Sequence, residues 1–225
     1  MDRKRRLLWE LGIVAIFLAW WFFFVQTNVN PALGNIYVGL TIGAGLIALI
    51  DRNLGKKDID LVNPNNTWIG AILIAFIGYF VIVFGGQLVV RLLTGVPVSD
   101  ILKLLQSTSP AFSDSKIING ITFGIMVAYI ESYALFVVGF DLLASMFNAK
   151  INRNGLKTFK LWMIMFGIGF LFLILHVTAK GIESSGTLIV VFFMAMVSMV
   201  IVAYTQEGRS SIITHQIANS LAMIL

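Results

Sequence analysis

The sequence contains no cysteine, which excludes disulfide bonds, thiolate metal sites and cysteine nucleophiles. Charged residues are also scarce, at 12% of the chain, whereas soluble domains contain about one quarter. In their place, 58% of the residues are hydrophobic, and the mean hydropathy is +0.91. This composition predicts an integral membrane protein with most of its mass in lipid. The lipid bilayer is therefore one of its predicted partners.

Apolar runs long enough to cross a bilayer recur along the chain. A spanning helix needs roughly 20 predominantly apolar residues, and six runs meet this requirement, while a seventh of 16 residues is marginal as a full span. We therefore predict an all-α fold, a polytopic transmembrane helix bundle with six full spans and a short seventh C-terminal helix. The runs cover about 7–25, 32–50, 67–90, 117–147, 161–179 and 187–205, and the short seventh covers 210–225.

Basic residues divide unequally between the two sides of this predicted topology. With a cytoplasmic amino terminus, twelve Lys and Arg residues fall in inside segments and four in outside segments. Such an excess follows the positive-inside rule, so we predict a multi-pass protein with a cytoplasmic amino terminus. We expect its location to be a prokaryotic cell membrane. Because the net charge of +5 reflects these loops, we do not expect a nucleic-acid partner.

The predicted bundle is one integrated membrane domain with two regions. Residues 1–116 form an N-terminal three-span region, whose mildly amphipathic stretch at about 91–116 is expected to lie along the membrane interface. Residues 117–225 form the core that carries the polar residues described next. Glycines at four-residue spacing, Gly39 with Gly43 and Gly120 with Gly124, predict close approach between helices.

Four polar side chains within apolar runs are the candidate catalytic residues. Polar groups at membrane depth are costly and often functional. A carboxylate and an imidazole that converge on one water form a general base, while a second imidazole and an amide can donate hydrogen bonds to an oxyanion. The chain holds such a set in three different runs, and His215 and Asn219 lie one helical turn apart. The four residues are Glu131, His176, His215 and Asn219.

Neighbouring residues raise three further expectations. Asp141 is predicted to be an interfacial carboxylate that faces water or basic loop residues, and Tyr129 and Tyr133 are predicted to line the catalytic cavity. The simple topology also places His176 near the outer end of the fifth predicted helix and His215 near the inner start of the seventh. A shared site therefore requires tilted helices, a re-entrant linker at 178–186 or a later start of the seventh helix.

Two short motifs carry a family resemblance. Phe172–His176 reads as FxxxH and His215–Asn219 reads as HxxxN, both downstream of intramembrane Glu131. In this order they resemble the CAAX protease and bacteriocin-processing family, over about residues 117–225. The resemblance implies an intramembrane glutamate-type endopeptidase that cleaves a membrane-associated substrate, such as a prenylated CAAX protein or a bacteriocin-like peptide. It also implies that Glu131 and His176 activate water, while His215 and Asn219 hold the oxyanion.

The first motif of that family, EExxxR, is incomplete in this chain. Ser132 replaces the second Glu, and Phe136 stands at the Arg position. These departures leave open a non-catalytic membrane bundle protein or immunity-type binder that retains a degenerate site. Haem ligation by the two histidines and proton-coupled transport through Glu131 are further alternatives. We predict no cofactor and no obligatory divalent metal, because the resemblance assigns the second histidine to the oxyanion.

Overall fold

The computed structural model of the 225-residue chain describes residues 3–27, 63, 65–95, 120–180 and 185–224. Within these ranges the chain forms six long helices and one short 3₁₀ turn at Gly155–Lys157, with no strand. The predicted all-α fold is therefore confirmed for this part of the chain. The helices are α1 (Arg3–Thr27), α2 (Trp68 to Thr94), α3 (Gly120 to Met146), α4 (Phe159–Lys180), α5 (Ser185–Thr205) and α6 (Arg209–Ile224).

Two of these helices contain π-helical segments, in which each turn is wider than in an α-helix. In α2 the π segment is Val81–Gly85. In α3 two π segments, Gly120–Val127 and Ser132–Gly139, flank the short α-helical segment Ala128–Glu131. Departures of this kind often mark functional positions. The second junction in α3 falls between Glu131 and Ser132.

Five helices of the described chain, α1 to α5, are long and apolar enough to cross a membrane. This finding supports an integral multi-pass membrane protein. The sixth helix, α6, has 16 residues, fewer than the roughly 20 that a full span needs. The predicted run at 32–50 and the predicted interfacial residues 96–116 lie outside the described residues, as do Gly39 and Gly43.

Helix α6 packs between α2 and α3, and small residues allow the close approach. A Cβ built on Gly124 of α3 would lie 2.6 Å from the Cα atom of Ser220 of α6. On the opposite side, a Cβ on Gly78 of α2 would lie 2.9 Å from Thr214 Oγ1. Gly124 belongs to the predicted Gly120/Gly124 pair, and it permits the helix approach that the spacing predicts.

A buried carboxylate, Glu207, fixes the start of α6. Its side chain is 0% exposed and accepts four hydrogen bonds: from the Asn63 backbone N–H (3.1 Å), Asn66 Nδ2 (2.7 Å), Arg209 Nη2 (3.0 Å) and Ser210 Oγ (2.6 Å). These bonds tie the loop before α2 to the turn between α5 and α6. We call these five residues the Glu207 anchor, and no motif in the sequence points to Glu207.

A second ion pair, in which the carboxylates are buried, joins α1 to α3. Arg6 donates from Nη2 to Asp141 Oδ2 at 2.6 Å and from Nε to Glu10 Oε1 at 3.0 Å. Asp141 is 1% exposed, so the expectation that it could face water is wrong. It instead pairs with a basic residue of the amino-terminal segment, because a carboxylate buried among helices needs a counter-charge.

Candidate active site

The contact between α3 and α6 brings together three polar side chains within the apolar bundle. Ser132 Oγ lies 2.8 Å from Nδ1 of His215, and Glu131 Oε2 lies 3.7 Å from Nε2 of the same ring. Each of the three residues is at most 3% exposed. The imidazole of His215 is therefore held between two consecutive residues of α3, with one ring nitrogen toward each. We call these three residues the Glu131 cluster.

The partner of Nδ1 determines which ring nitrogen of neutral His215 carries the proton. A neutral imidazole has one N–H donor and one acceptor nitrogen. When the Ser132 hydroxyl donates to Nδ1, the proton of the ring resides on Nε2, the atom nearest Glu131. When Nδ1–H donates to Ser132 Oγ instead, Nε2 becomes an acceptor. Ser132 therefore influences whether Nε2 can donate a hydrogen bond.

Phe172 links the two histidines. Its ring centroid lies 4.2 Å from that of His176 and 6.0 Å from that of His215. The two imidazole centroids are therefore at most about 10 Å apart, the sum of these distances. Phe136 of α3 also lies against this group, at 5.1 Å from Phe172 and 6.2 Å from His215. The histidines thus lie near one another, although the simple topology separates them along the membrane normal.

His176 has a defined tautomer in this environment. Its Nδ1 lies 3.0 Å from the Phe172 carbonyl oxygen, and because a carbonyl only accepts, Nδ1 carries the proton. The neutral ring then presents Nε2 as an acceptor. The Trp21 ring of α1 packs 5.5 Å from the imidazole, and its Nε1 donates to the Leu175 carbonyl oxygen at 3.1 Å. Helix α1 therefore helps to orient His176.

Asn219 does not join the Glu131 cluster by a hydrogen bond. It is half-buried on α6, one turn beyond His215, and its side chain makes no hydrogen bond within the described part of the chain. Tyr129 and Tyr133 of α3 stack on each other with centroids 6.1 Å apart and an angle of 8° between planes. The roles predicted for Asn219 and the two tyrosines remain predictions.

Two residues that shape this group stand where the chain departs from the EExxxR pattern. Ser132 hydrogen-bonds to His215, and Phe136 packs against the rings of Phe172 and His215. The signal that points to Ser132 is its position directly after Glu131. Phe136 lies one turn further along α3, so its ring faces the same neighbouring helices.

Among the described residues, no three His, Asp or Glu side chains lie close enough to hold a metal ion. Comparisons of the chain with models of known protein families, with curated proteins and with solved structures found no match. The interpretation of the site therefore depends on its own geometry and on the two motifs.

Proposed function

We propose that this chain is an intramembrane glutamate-type endopeptidase that hydrolyses a peptide bond of a membrane-associated substrate. The observation that carries the proposal is the buried Glu131 cluster, with His176 close by across Phe172. Burying a carboxylate and two imidazoles in an apolar bundle is costly. A role in chemistry would account for these three side chains in the buried part of the bundle.

The proposed reaction uses one water molecule. Glu131 accepts a proton from this water, with Nε2 of His176 as the second acceptor, while the water oxygen attacks the peptide carbonyl carbon. Protonated Nε2 of His215 and the amide of Asn219 donate hydrogen bonds to the resulting oxyanion. Each such donor is typically worth about 3 kcal/mol in a site that excludes water. The proton held by Glu131 then passes to the leaving amine as the C–N bond breaks.

Ser132 has a specific part in this proposal. When its hydroxyl donates to Nδ1 of His215, Nε2 of that ring carries the hydrogen that the oxyanion requires. The substrate class, a prenylated CAAX protein or a bacteriocin-like peptide, follows from the motif resemblance. The cytoplasmic location of the amino terminus follows from the distribution of basic residues. It would place Arg6 and Arg209 at the cytoplasmic ends of their helices.

The test is a cleavage assay on the full chain in liposomes, with prenylated and unprenylated membrane-bound peptides as substrates in ¹⁸O-labelled water. Mass spectrometry should detect a new carboxyl terminus that carries one ¹⁸O atom. Glu131→Gln and His215→Ala should each lower the rate at least 100-fold. Ser198→Ala is the matched control, because Ser198 on α5 carries a buried hydroxyl that has no hydrogen-bond partner among the described residues. Full activity of Glu131→Gln would refute the proposal.

A non-catalytic bundle protein or immunity-type binder is the second candidate. The burial favours it: Glu131, Ser132 and His215 are at most 3% exposed, so a substrate reaches them only if helices separate. The replacement of the second Glu and of the Arg in the family pattern points the same way. In this case a stable complex with a membrane peptide should form without any cleavage, and Glu131→Gln should leave that complex unchanged.

A further inference from the structure

A polar cleft opens at the end of the bundle that carries the Glu207 anchor, and the proposed peptidase reaction does not use it. Its volume is about 510 Å³, and Ile74 is the one aliphatic residue among the described residues of its lining. The cleft lies between the loop before α2, the loop before α4 and the end of α5. Three candidate membrane spans therefore begin or end at its walls.

The floor of the cleft is fixed by hydrogen bonds among its own residues. Asn63 Nδ2 donates to the Thr205 carbonyl oxygen at 3.1 Å, and its backbone N–H is bound by Glu207. On the opposite wall, Asn152 Oδ1 accepts from the Gly155 backbone N–H at 2.8 Å. These three segments are therefore held in place before any ligand arrives, which lowers the entropic cost of binding.

The rim presents hydrogen-bonding groups that the described protein does not use. The side chains of Asn65, Asn154 and Gln206 are exposed and make no hydrogen bond within the described residues. Arg153 stacks its guanidinium 4.0 Å above the ring of Tyr204, a contact that orients the cation and leaves its N–H groups available. Among the lining residues that the structure describes there is no carboxylate, and Arg153 supplies their one positive charge.

We propose that this cleft binds the phosphate of a phospholipid headgroup. A planar guanidinium with neighbouring amide N–H₂ groups suits an anion that has several acceptor oxygens, and Arg in particular matches phosphate geometry. The cleft lies where Tyr204 ends one span and Trp68 begins another, and aromatic residues of this kind sit at the headgroup level of a bilayer. A phosphate attached to a membrane lipid is therefore the ligand that reaches this position most directly.

Native mass spectrometry of the full chain in detergent can test the proposal. The probes are short-chain phosphatidylglycerol, diacylglycerol with the same acyl chains, and free glycerol phosphate. Phosphatidylglycerol should bind at least tenfold more tightly than diacylglycerol, which lacks the phosphate. Arg153→Gln should lower phosphatidylglycerol binding about tenfold. Lys157→Gln, which removes the same charge from the same loop outside the lining, should change it less than twofold.

Other binding results would overturn either the proposed site or its lipid ligand. Equal binding of phosphatidylglycerol and diacylglycerol, or equal effects of Arg153→Gln and Lys157→Gln, would overturn the proposed site. Glycerol phosphate that binds as tightly as the lipid would overturn the lipid source and assign the cleft to a soluble phosphate. Matching melting temperatures of the two variants establish that folding is unaffected.

Discussion

Replacing Glu207 by alanine should destabilise the protein severely. The carboxylate is 0% exposed and accepts hydrogen bonds from four partners, including the 5% exposed guanidinium of Arg209. Breaking a buried ion pair by removing one partner typically costs about 3–5 kcal/mol. The N–H groups of Asn63 and Asn66 that lose their acceptor add to this cost, and water that enters the new cavity offsets part of it. We expect a loss of about 3–5 kcal/mol.

This loss converts into a measurable melting shift. For a chain of this size, 1 kcal/mol corresponds to about 2–4 °C, so Glu207→Ala should lower the apparent melting temperature by roughly 6–20 °C. The assay is intrinsic tryptophan fluorescence during heating of the full chain in detergent at neutral pH. Glu207→Gln retains one acceptor oxygen and the side-chain volume, so it should fall between Glu207→Ala and the wild type.

The control is Asn65→Ala, an exposed residue of the loop before α2 whose side chain makes no hydrogen bond within the described chain. A surface substitution of this kind should change stability by less than about 0.5 kcal/mol. If Glu207→Ala melts within 2 °C of Asn65→Ala, the Glu207 anchor does not hold the bundle end together. The start of α6, and with it the placement of His215, would then need another explanation.

Three further substitutions test separate contacts. Gly124→Leu should lower the free energy of unfolding by about 1–3 kcal/mol or more, because the new side chain overpacks α3 against Ser220. The control is Gly167→Leu, at a position with open space. Equal melting temperatures of the two variants would contradict the close packing. Arg6→Ala should lower the free energy of unfolding by about 3 kcal/mol, because the buried carboxylates of Glu10 and Asp141 lose their counter-charge. A melting-temperature shift as small as that of exposed Lys4→Ala would contradict this expectation. Ser132→Ala should destabilise by about 1–3 kcal/mol and alter the histidine ¹⁵N signals of the His215 ring, whereas Ser132→Thr should preserve them.

Composition and hydropathy were sufficient to predict the helical bundle, because the cost of exposing backbone polar groups in lipid leaves few other folds. The runs at 67–90, 161–179 and 187–205 match α2, α4 and α5 to within a few residues. The Glu207 anchor could not be predicted in this way. Asn63 and Asn66 lie about 140 residues before Glu207 in the sequence, and no local pattern relates the loop before α2 to the turn before α6.

The spacing of the two histidines differs from the estimate that helix rise alone gives. Counting residues from the helix ends placed His176 and His215 too far apart for one site. That count treats each side chain as if it lay at the height of its own Cα atom. The ring of Phe172, one turn before His176, lies 4.2 Å from the His176 ring and 6.0 Å from the His215 ring. These contacts limit the separation of the two imidazole centroids to about 10 Å, less than the count of backbone rise from the helix ends suggests.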